Sequence, residues 1–285
     1  MTMTSKTWLI TGASAGLGRE LAVAALKRGD RVVATSRRPE RLDDLAREHG
    51  DRLLAVALDV NDADDARAVV AAATERFGTV DVVVNNAGYA TSAAIEDIPD
   101  AEFRAQLDIN LFGVVNVTKA VLPVLRRQRS GHIVQISSIG GRVGGTPGLG
   151  AYQTAKFAVE GFSEVLAHEV APLGVKVIIV EPGGLRTNWV AGAATSPVPV
   201  GEDYEETVGQ WARRFAEYNG NEPGDPARAA QAIAEIVDAE EPPRRLLLGS
   251  DALRIALESG AERSAEAEKW GDVSRSTDFP VTPSR

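Results

Sequence analysis

Short runs of β-branched residues alternate with longer stretches of helical periodicity along most of the chain. The strand-like runs lie at residues 8–10, 31–35, 53–58, 80–84, 132–137, 175–180 and 246–248. Apolar residues recur at helical spacing between them, in segments at 17–27, from 38 onward, 62–77, 99–127, 151–170 and 226–239. Repeated β-α-β units predict a three-layer α/β fold, in which a doubly wound parallel sheet of about seven strands has helices on both faces.

One of these helices contains a proline. Pro123 lies in the last stretch of the segment predicted to be helical from 99 to 127. Proline lacks the backbone N–H of a helical turn and its ring clashes with the preceding turn. We therefore expect the helix to kink or end there.

The pattern changes after the sixth strand. Residues 182–226 are rich in Gly, Pro, Ala, Ser and Thr, with an acidic helical piece at 202–218. An insertion of this length after a core strand is typical of a lid or a disordered loop. We predict one domain over residues 1–249, with 182–226 as its substrate loop or lid. Residues 250–285 form a C-terminal extension, helical at first and irregular from Trp270 onward.

Charge and composition exclude several classes of function. The chain has 31 basic and 40 acidic residues, for a formal net charge of −9, so we expect no nucleic-acid partner and no anionic membrane surface. It has no cysteine, which excludes disulfides and thiolate chemistry. Its three histidines, His49, His132 and His168, do not have metal-ligand spacing, and we predict no metal site.

The N-terminus carries no recognisable targeting signal. The polar segment before the first strand is too short for a signal peptide. No apolar run approaches the roughly 18 residues that a membrane helix needs. We therefore expect a soluble, cytoplasmic protein.

A glycine-rich turn follows the first strand and opens the first helix. It carries Gly12, Gly16 and Gly18, interleaved with small residues. Such glycines permit a tight turn, let the backbone approach a pyrophosphate and let the helix pack on the strand. The helix N-terminus then offers unpaired N–H groups and a positive dipole end to the phosphates. A glycine trio alone is a weak signal, and a plain turn is the alternative.

The end of the second strand indicates which dinucleotide would bind. A fold that prefers NAD usually places an acidic residue there, to hold the ribose 2′-hydroxyl. This chain places Arg37 and Arg38 there instead. Guanidinium groups suit a 2′-phosphate, which favours NADP(H), with Arg37 as the main contact. The alternative is that both arginines lie on a solvated turn.

Two further motifs carry candidate chemistry. Asn85 and Asn86, followed by Ala-Gly, end the fourth strand, where open α/β sheets bind ligands. Tyr152 and Lys156 lie four residues apart near the start of a predicted helix, so both side chains share one helical face. An ammonium beside a phenol lowers the phenol pKa and prepares it for acid–base work. Either motif alone could be accidental.

Taken together, these motifs resemble the short-chain dehydrogenase/reductase family. The glycine turn, the Asn-Asn-Ala-Gly segment, an asparagine in the fourth helix, a serine pair ending strand five and Tyr-x-x-x-Lys occur in the family's order and at its spacings. The segment at 181–187 is another family element. One departure is the Ser138–Tyr152 spacing, one residue longer than the commonest, which the glycine-rich loop between them can absorb. The resemblance covers about residues 6–250 and implies a Rossmann fold.

The resemblance implies a role for each of four catalytic residues. Tyr152 would be the general acid in reduction and the general base in oxidation. Lys156 would lower its pKa and bind the nicotinamide ribose. Ser138 would orient the substrate oxygen, with Ser137 as a less favoured alternative. Asn110 would hold a water that links the lysine to solvent.

The resemblance also implies the coenzyme contacts. Asp59 and Val60 match the pair that contacts adenine, and Leu185 and Thr187 match the contacts to the nicotinamide carboxamide. The full set of expected contacts is Gly12, Ser14, Ala15, Gly16, Leu17, Gly18, Arg37, Arg38, Asp59, Val60, Asn86, Ala87, Gly88, Tyr152, Lys156, Pro182, Gly183, Leu185 and Thr187.

The implied function is hydride transfer between NADP(H) and a carbonyl or secondary alcohol. The long region after strand six looks like the branch with 17β-hydroxysteroid and retinol dehydrogenase-like enzymes, which indicates a bulky apolar substrate. Trp189, Trp211 and Phe215 would line its pocket or simply pack the lid down. The alternatives are a 3-oxoacyl-carrier reductase and a non-catalytic NADP-sensing regulator. Family members are commonly homodimers or homotetramers, and we expect the same here.

Overall fold

The computed structural model describes residues 5–194 and 198–279. Its centre is a seven-stranded parallel sheet with the order β3-β2-β1-β4-β5-β6-β7, which confirms the predicted doubly wound α/β fold. The strand order reverses between β1 and β4, and this switch point opens a crevice at the carboxyl ends of the strands. The strands are β1 (Thr7–Ile10), β2 (Arg31–Ser36), β3 (Leu53–Ala57), β4 (Val82–Asn85), β5 (Gly131–Ile136), β6 (Val175–Pro182) and β7 (Arg245–Leu248).

Helices cover both faces of the sheet. Trp8 and Ile10 of β1 pack into one apolar cluster with the first and tenth helices, and Leu9 packs into the opposite cluster. Successive side chains of a strand point to opposite faces, so one short apolar strand serves both layers. The α-helices are α1 (Gly16–Lys27), α2 (Asp43–His49), α3 (Ala63–Phe77), α4 (Asp100–Leu107), α5 (Gly113–Gln128), α6 (Ile139–Arg142), α7 (Gly150–Val170), α8 (Trp189–Ala194), α9 (Gln210–Tyr218), α10 (Pro226–Val237), α11 (Ser250–Lys269) and α12 (Gly271–Arg275).

Aspartate side chains fix the starts of two helices that pack on the sheet. Asp62 accepts a hydrogen bond from the backbone N–H of Asp64 at 2.7 Å, before α3. Asp225 accepts one from Ala227 at 2.8 Å, before α10, whose first residue is Pro226. Each carboxylate satisfies N–H groups that the first helical turn leaves unpaired.

The helix after β4 does not end at its proline. Helix α5 continues through Pro123 to Gln128, so of the two expected outcomes, a kink or an end, the end is wrong. Pro123 and Lys119, the residue whose carbonyl group the proline cannot bond, are both exposed. The irregular stretch lies earlier, at a π-helical turn, Asp108–Phe112, which joins α4 to α5.

This helical stretch, Asp100–Gln128, is long and apolar enough by composition to cross a membrane, contrary to the expectation that no apolar run approaches that length. Its apolar residues Val117, Val121 and Leu125 are buried in the cluster beneath the sheet. They pack with Val69 of α3, so the helix takes part in the core of the domain.

Much of the region between β6 and α10 is helical, with α8 followed by two short turns and α9. The predicted acidic helix at 202–218 is three pieces: a 3₁₀ turn (Glu202–Tyr204), a π turn (Glu205–Gly209) and α9. Beyond β7, α11 begins against the sheet and is exposed on all sides from residue 261. The expectation of an irregular chain from Trp270 is wrong for the five residues of α12.

Candidate active site

A cavity of about 730 Å³ opens at the carboxyl ends of the central strands. The glycine turn after β1 and the segment after β4 form one end, and side chains from α7, α8 and α9 form the other. The predicted site residues that line it are Gly12, Ser14, Ala15, Gly16, Leu17, Asn86, Ala87, Gly88, Asn110, Ser138, Tyr152, Lys156, Pro182, Gly183, Leu185 and Thr187.

The glycine turn has the geometry of a phosphate cradle. Gly12 and Gly16 have φ angles of +66° and +55°, a region that favours glycine. A Cβ on Gly18 would lie 2.5 Å from the carbonyl oxygen of Gly12, and closer still to Asn86 Nδ2. Ala15, before the first residue of α1, places no capping side chain on the helix N-terminus. The first N–H groups of α1 therefore face the cavity without a side-chain partner, as an anion site requires.

Asn86 holds this turn in place. Its Nδ2 donates to the carbonyl oxygens of Thr11 at 2.9 Å and Gly12 at 3.2 Å. Thr11 Oγ1 in turn accepts from the backbone N–H of Asn86 at 2.9 Å and of Ala87 at 3.0 Å. The segment after β4 and the turn after β1 are thus tied together across the switch point.

Tyr152 and Lys156 lie one turn apart on α7, and both are buried at the cavity wall. Lys156 Nζ lies 5.7 Å from the centroid of the Tyr152 ring. It donates a hydrogen bond to the carbonyl oxygen of Ile136, the last residue of β5, at 2.8 Å. This bond anchors the ammonium beside the strand end that carries the serine pair.

Burial controls the protonation of both groups. It raises the pKa of the Tyr152 phenol to about 12, and a hydrogen bond with Ser138 offsets part of that rise. It lowers the pKa of Lys156 to about 8, and the nearby Glu160 carboxylate opposes that change. The predicted lowering of the phenol pKa is wrong for the protein by itself, because desolvation is the larger effect.

The two serines after β5 have different partners. Both line the cavity, but Ser138 hydrogen-bonds to Tyr152 and accepts from the backbone N–H of Gly140 at 3.0 Å. Ser137 Oγ instead donates to Glu160 Oε1 at 2.7 Å. Only Ser138 therefore presents its hydroxyl beside the phenol.

Asn110 lies in the π turn and is fully buried. Its Nδ2 donates to the carbonyl oxygens of Tyr89 and Gln106, both at 2.9 Å, and its Oδ1 accepts from the backbone N–H of Tyr89 at 3.1 Å. A Cβ on Gly88 would lie 2.5 Å from Asn110 Oδ1 and 3.7 Å from Lys156 Nζ. Asn110 therefore fixes the segment after β4 next to the lysine.

Five predicted coenzyme contacts do not line this cavity. Gly18 lies behind the turn, where its lack of a side chain allows close packing. Arg37 and Arg38 are exposed beyond the end of β2. Asp59 is exposed, whereas the Val60 side chain is buried and packs where α5 approaches. The Val60 side chain therefore belongs to the core, and the coenzyme contact of this residue stays a prediction.

An ion-pair network behind the site was not predicted. Arg245 Nη1 lies 2.6 Å from Glu160 Oε2 and 2.7 Å from Glu181 Oε1. Arg142 Nε lies 2.5 Å from Glu181 Oε2, and Glu181 is fully buried. Two signals were present in the sequence: Glu160 lies one turn beyond Lys156, and Glu181 directly follows an apolar strand.

Three aromatic rings from α8 and α9 cluster with Tyr152, and we call them the aromatic wall. The Trp189 ring lies 5.0 Å from the Tyr152 ring and 6.0 Å from Phe215. Trp211 stacks on Phe215 at 4.3 Å. All three line the cavity and also pack with each other, and whether they hold a substrate stays a prediction.

The C-terminal extension also reaches the cavity. Asp251 and Ile255 of α11 line it, and Asp251 Oδ2 accepts from the backbone N–H of Gly184 at 2.8 Å. This bond fixes the loop that follows β6. This bond was not predicted, because it joins residues 67 positions apart in the chain.

Comparison with known proteins identifies the class to which this fold and site belong. The family model described as short chain dehydrogenase matches residues 6–196. The chain belongs to the short-chain dehydrogenase/reductase family. Its curated relatives in this family are named as oxidoreductases, which indicates an enzyme that acts on CH–OH and C=O groups.

Particular relatives resemble nearly the whole chain. "Oxidoreductase BOA17" of Botryotinia fuckeliana is 49% identical over 95% of this chain and 98% of its own. The "3-ketodihydrosphingosine reductase" of Bacteroides thetaiotaomicron is 37% identical over 85% of this chain and 87% of its own. A solved short-chain dehydrogenase from Streptomyces avermitilis is 42% identical, with a TM-score of 0.87 over 98% of this chain and 100% of its own. Solved proteins of the same fold bind NAD or NADP.

Proposed function

We propose that this protein reduces a bulky apolar ketone or aldehyde with NADPH, or oxidises the matching alcohol with NADP+. The observation that carries the proposal is the meeting of Tyr152, Ser138 and Lys156 at the wall of a cavity that also contains the glycine turn. The coenzyme supplies the hydride when bound. The chain supplies the proton, the orientation of the substrate and the exclusion of water.

The phosphate cradle fits a dinucleotide. Its glycines have no side chains where phosphates would approach, and the N-terminus of α1 offers unpaired N–H groups. Lys156 would then contact the nicotinamide ribose, and Leu185 and Thr187 the carboxamide. Thr187 already lies across from the cradle, since a Cβ on Gly16 would be 3.5 Å from its side chain.

The proton chemistry follows from the pKa values. A phenol whose pKa is about 12 stays protonated near neutral pH, which is the form that donates a proton to a carbonyl oxygen. Ser138 hydrogen-bonds to this phenol and would hold the substrate oxygen against it. Lys156, with a pKa of about 8, is mostly cationic at neutral pH and favours the phenolate left after proton transfer.

The preference for NADP(H) rests on the end of β2. Arg37 and Arg38 are exposed there, and within the described ranges neither guanidinium pairs with a carboxylate. Free guanidinium groups offer planar, permanently charged donors to a 2′-phosphate. No acidic residue stands at this strand end to hold a free ribose hydroxyl.

The aromatic wall supports an apolar substrate. Trp189, Trp211 and Phe215 present large ring surfaces next to Tyr152, and Leu149 completes the apolar lining. Rings of this size contribute much binding energy through buried area. A flat or extended apolar body would lie along them, with its carbonyl group at Tyr152.

The test is turnover across a panel of ketones, aldehydes, steroids and secondary alcohols, followed by NADPH absorbance. Tyr152→Phe is expected to lower the rate by about 10²–10⁴ while NADPH still binds, because the variant lacks only the acidic proton. Tyr204→Phe removes a phenol that bonds Glu96 away from the cavity and serves as the control. A near-normal rate in Tyr152→Phe contradicts the proposal.

A further inference from the structure

A second cationic side chain besides Lys156, that of Arg214 on α9, lines the cavity. Trp211, Arg214, Phe215 and Tyr218 recur at the i, i+3, i+4, i+7 spacing of one helical face, and all four line the cavity. The other three are aromatic. Arg214 is thus the charged member of an otherwise aromatic face.

This guanidinium has no partner within the part of the chain that the structure describes, and it is exposed. Its neighbour Arg213 differs, because Arg213 forms an ion pair with Glu205. An arginine satisfied by a carboxylate of its own chain stabilises the fold. A free guanidinium has a planar fork of N–H donors that matches a carboxylate.

The position of Arg214 sets the geometry of the ligand. The Tyr152 ring contacts Trp189, and Trp189 contacts Phe215, the residue next to Arg214. Arg214 lines the same cavity from α9, the helix that carries Trp211 and Phe215 of the aromatic wall. A substrate whose carbonyl group meets Tyr152 and whose other end reaches Arg214 would lie along that wall.

We infer that Arg214 determines specificity by binding a carboxylate at the end of the substrate remote from its carbonyl group. The substrate class is an extended apolar ketone or aldehyde that carries a terminal acid. This inference rests on the proposed function for the reacting end of the molecule. In a chain with a net charge of −9, a cation at the cavity mouth also offsets the repulsion that an anionic substrate meets.

The test uses 4′-acetylbiphenyl-4-carboxylic acid and its methyl ester, which share a two-ring body and differ in the charged end. Each is titrated calorimetrically into the full-length protein with saturating NADP+, which cannot reduce the ketone. We expect the wild type to bind the acid about tenfold more tightly than the ester, because one hydrogen-bonded ion pair changes the affinity by about this factor. In Arg214→Ala this preference is expected to fall below about twofold.

Two further variants sharpen the result. Arg213→Ala removes the same charge from the adjacent residue, and its preference for the acid is expected to stay near about tenfold. Arg214→Lys keeps the charge without the planar fork, and an intermediate preference is expected. Added salt should reduce the wild-type preference, since the pair lies at an exposed mouth.

Several outcomes would overturn the inference. They are equal binding of acid and ester by the wild type, no binding of either compound, and equal losses in Arg213→Ala and Arg214→Ala. A loss in Arg214→Ala confined to NADP+ affinity would show that the guanidinium pairs with coenzyme phosphates instead.

The same compounds separate this inference from the proposed function. Reduction of neutral 4-acetylbiphenyl that depends on Tyr152, without any preference for the acid, would refute the role of Arg214 alone. An acid preference that depends on Arg214, without turnover of any carbonyl compound, would refute the proposed reaction and leave the carboxylate site standing.

Discussion

Ser137 Oγ donates a hydrogen bond to Glu160 Oε1 at 2.7 Å, next to Ser138, the serine that hydrogen-bonds to Tyr152. Glu160 lies one turn beyond Lys156 on the same helix and also pairs with Arg245. Its carboxylate raises the pKa of the Lys156 ammonium against the effect of burial. The ion-pair network therefore connects the strand end, the lysine and β7 in one electrostatic unit.

The first prediction concerns Glu160→Gln, which keeps a side chain of the same shape and removes its charge. Without the carboxylate the pKa of Lys156 should fall below its present value of about 8. The ammonium would then lose its proton at a lower pH, so the alkaline limb of the rate profile should move to lower pH. The measurement is kcat/KM from pH 6 to pH 10, in steps of about half a pH unit.

Glu164→Gln is the matched control. Glu164 also pairs with Arg245, yet no effect of its charge on Lys156 is found. An equal shift of the profile in both variants, or none in Glu160→Gln, would contradict the electrostatic role of Glu160.

The second prediction concerns the choice of coenzyme. Arg37→Ala is expected to raise the KM for NADPH by about 10- to 100-fold and to change the KM for NADH far less, since a charged hydrogen bond to phosphate contributes about 1.5–3 kcal/mol. Arg47→Ala on α2 removes an exposed arginine in the next helix and serves as the control. Equal weakening of both coenzymes by Arg37→Ala would remove the argument for the 2′-phosphate.

The third prediction concerns close packing under the glycine turn. Gly18→Ala would place a methyl group 2.5 Å from the Gly12 carbonyl oxygen, which is backbone and cannot swing away. We expect a loss of about 1–3 kcal/mol in the free energy of unfolding, together with weaker coenzyme binding. Denaturant titration and NADPH fluorescence measure the two effects.

Gly161→Ala provides the contrast. Gly161 lies inside α7 with open space around a Cβ, so alanine there should stabilise the protein by about 0.5–1 kcal/mol. If Gly18→Ala were as stable as Gly161→Ala, the close approach of α1 to the turn would be refuted.

The fourth prediction concerns a cost that Lys156 imposes on stability. Its pKa is about 8 in the folded protein, against 10.5 for an exposed lysine. Folding therefore disfavours the charged form, by about 1.4 kcal/mol for each pH unit between the two values. Lys156→Met should be inactive and yet more stable than the wild type at pH 7.

The sign of the pH dependence follows from the same values. Between pH 8 and pH 10.5 Lys156 binds more protons in the unfolded protein than in the folded protein. The contribution of Lys156 to the free energy of unfolding of the wild type therefore rises with pH. The advantage of Lys156→Met should therefore shrink from pH 7 to pH 10 in urea titrations. An advantage that does not change with pH would assign the gain to packing instead.

The sequence by itself determined the layered fold and most of the cavity lining. Alternating apolar runs and helical periods suffice for a parallel sheet, and such a sheet places the loops at its carboxyl edge in a fixed order. The glycine turn, Asn86, Tyr152 and Lys156 were identified in this way, because each motif is local and the topology brings the motifs together.

Tertiary structure alone decided what depends on contacts between distant residues. It separated Ser138 from Ser137 through a bond to Glu160, and it buried the Val60 side chain under α5. It also raised the Tyr152 pKa, because desolvation depends on everything packed around the phenol. Spacing along a chain shows which residues share a helical face, but burial and distant charge pairs exist only after the chain has folded.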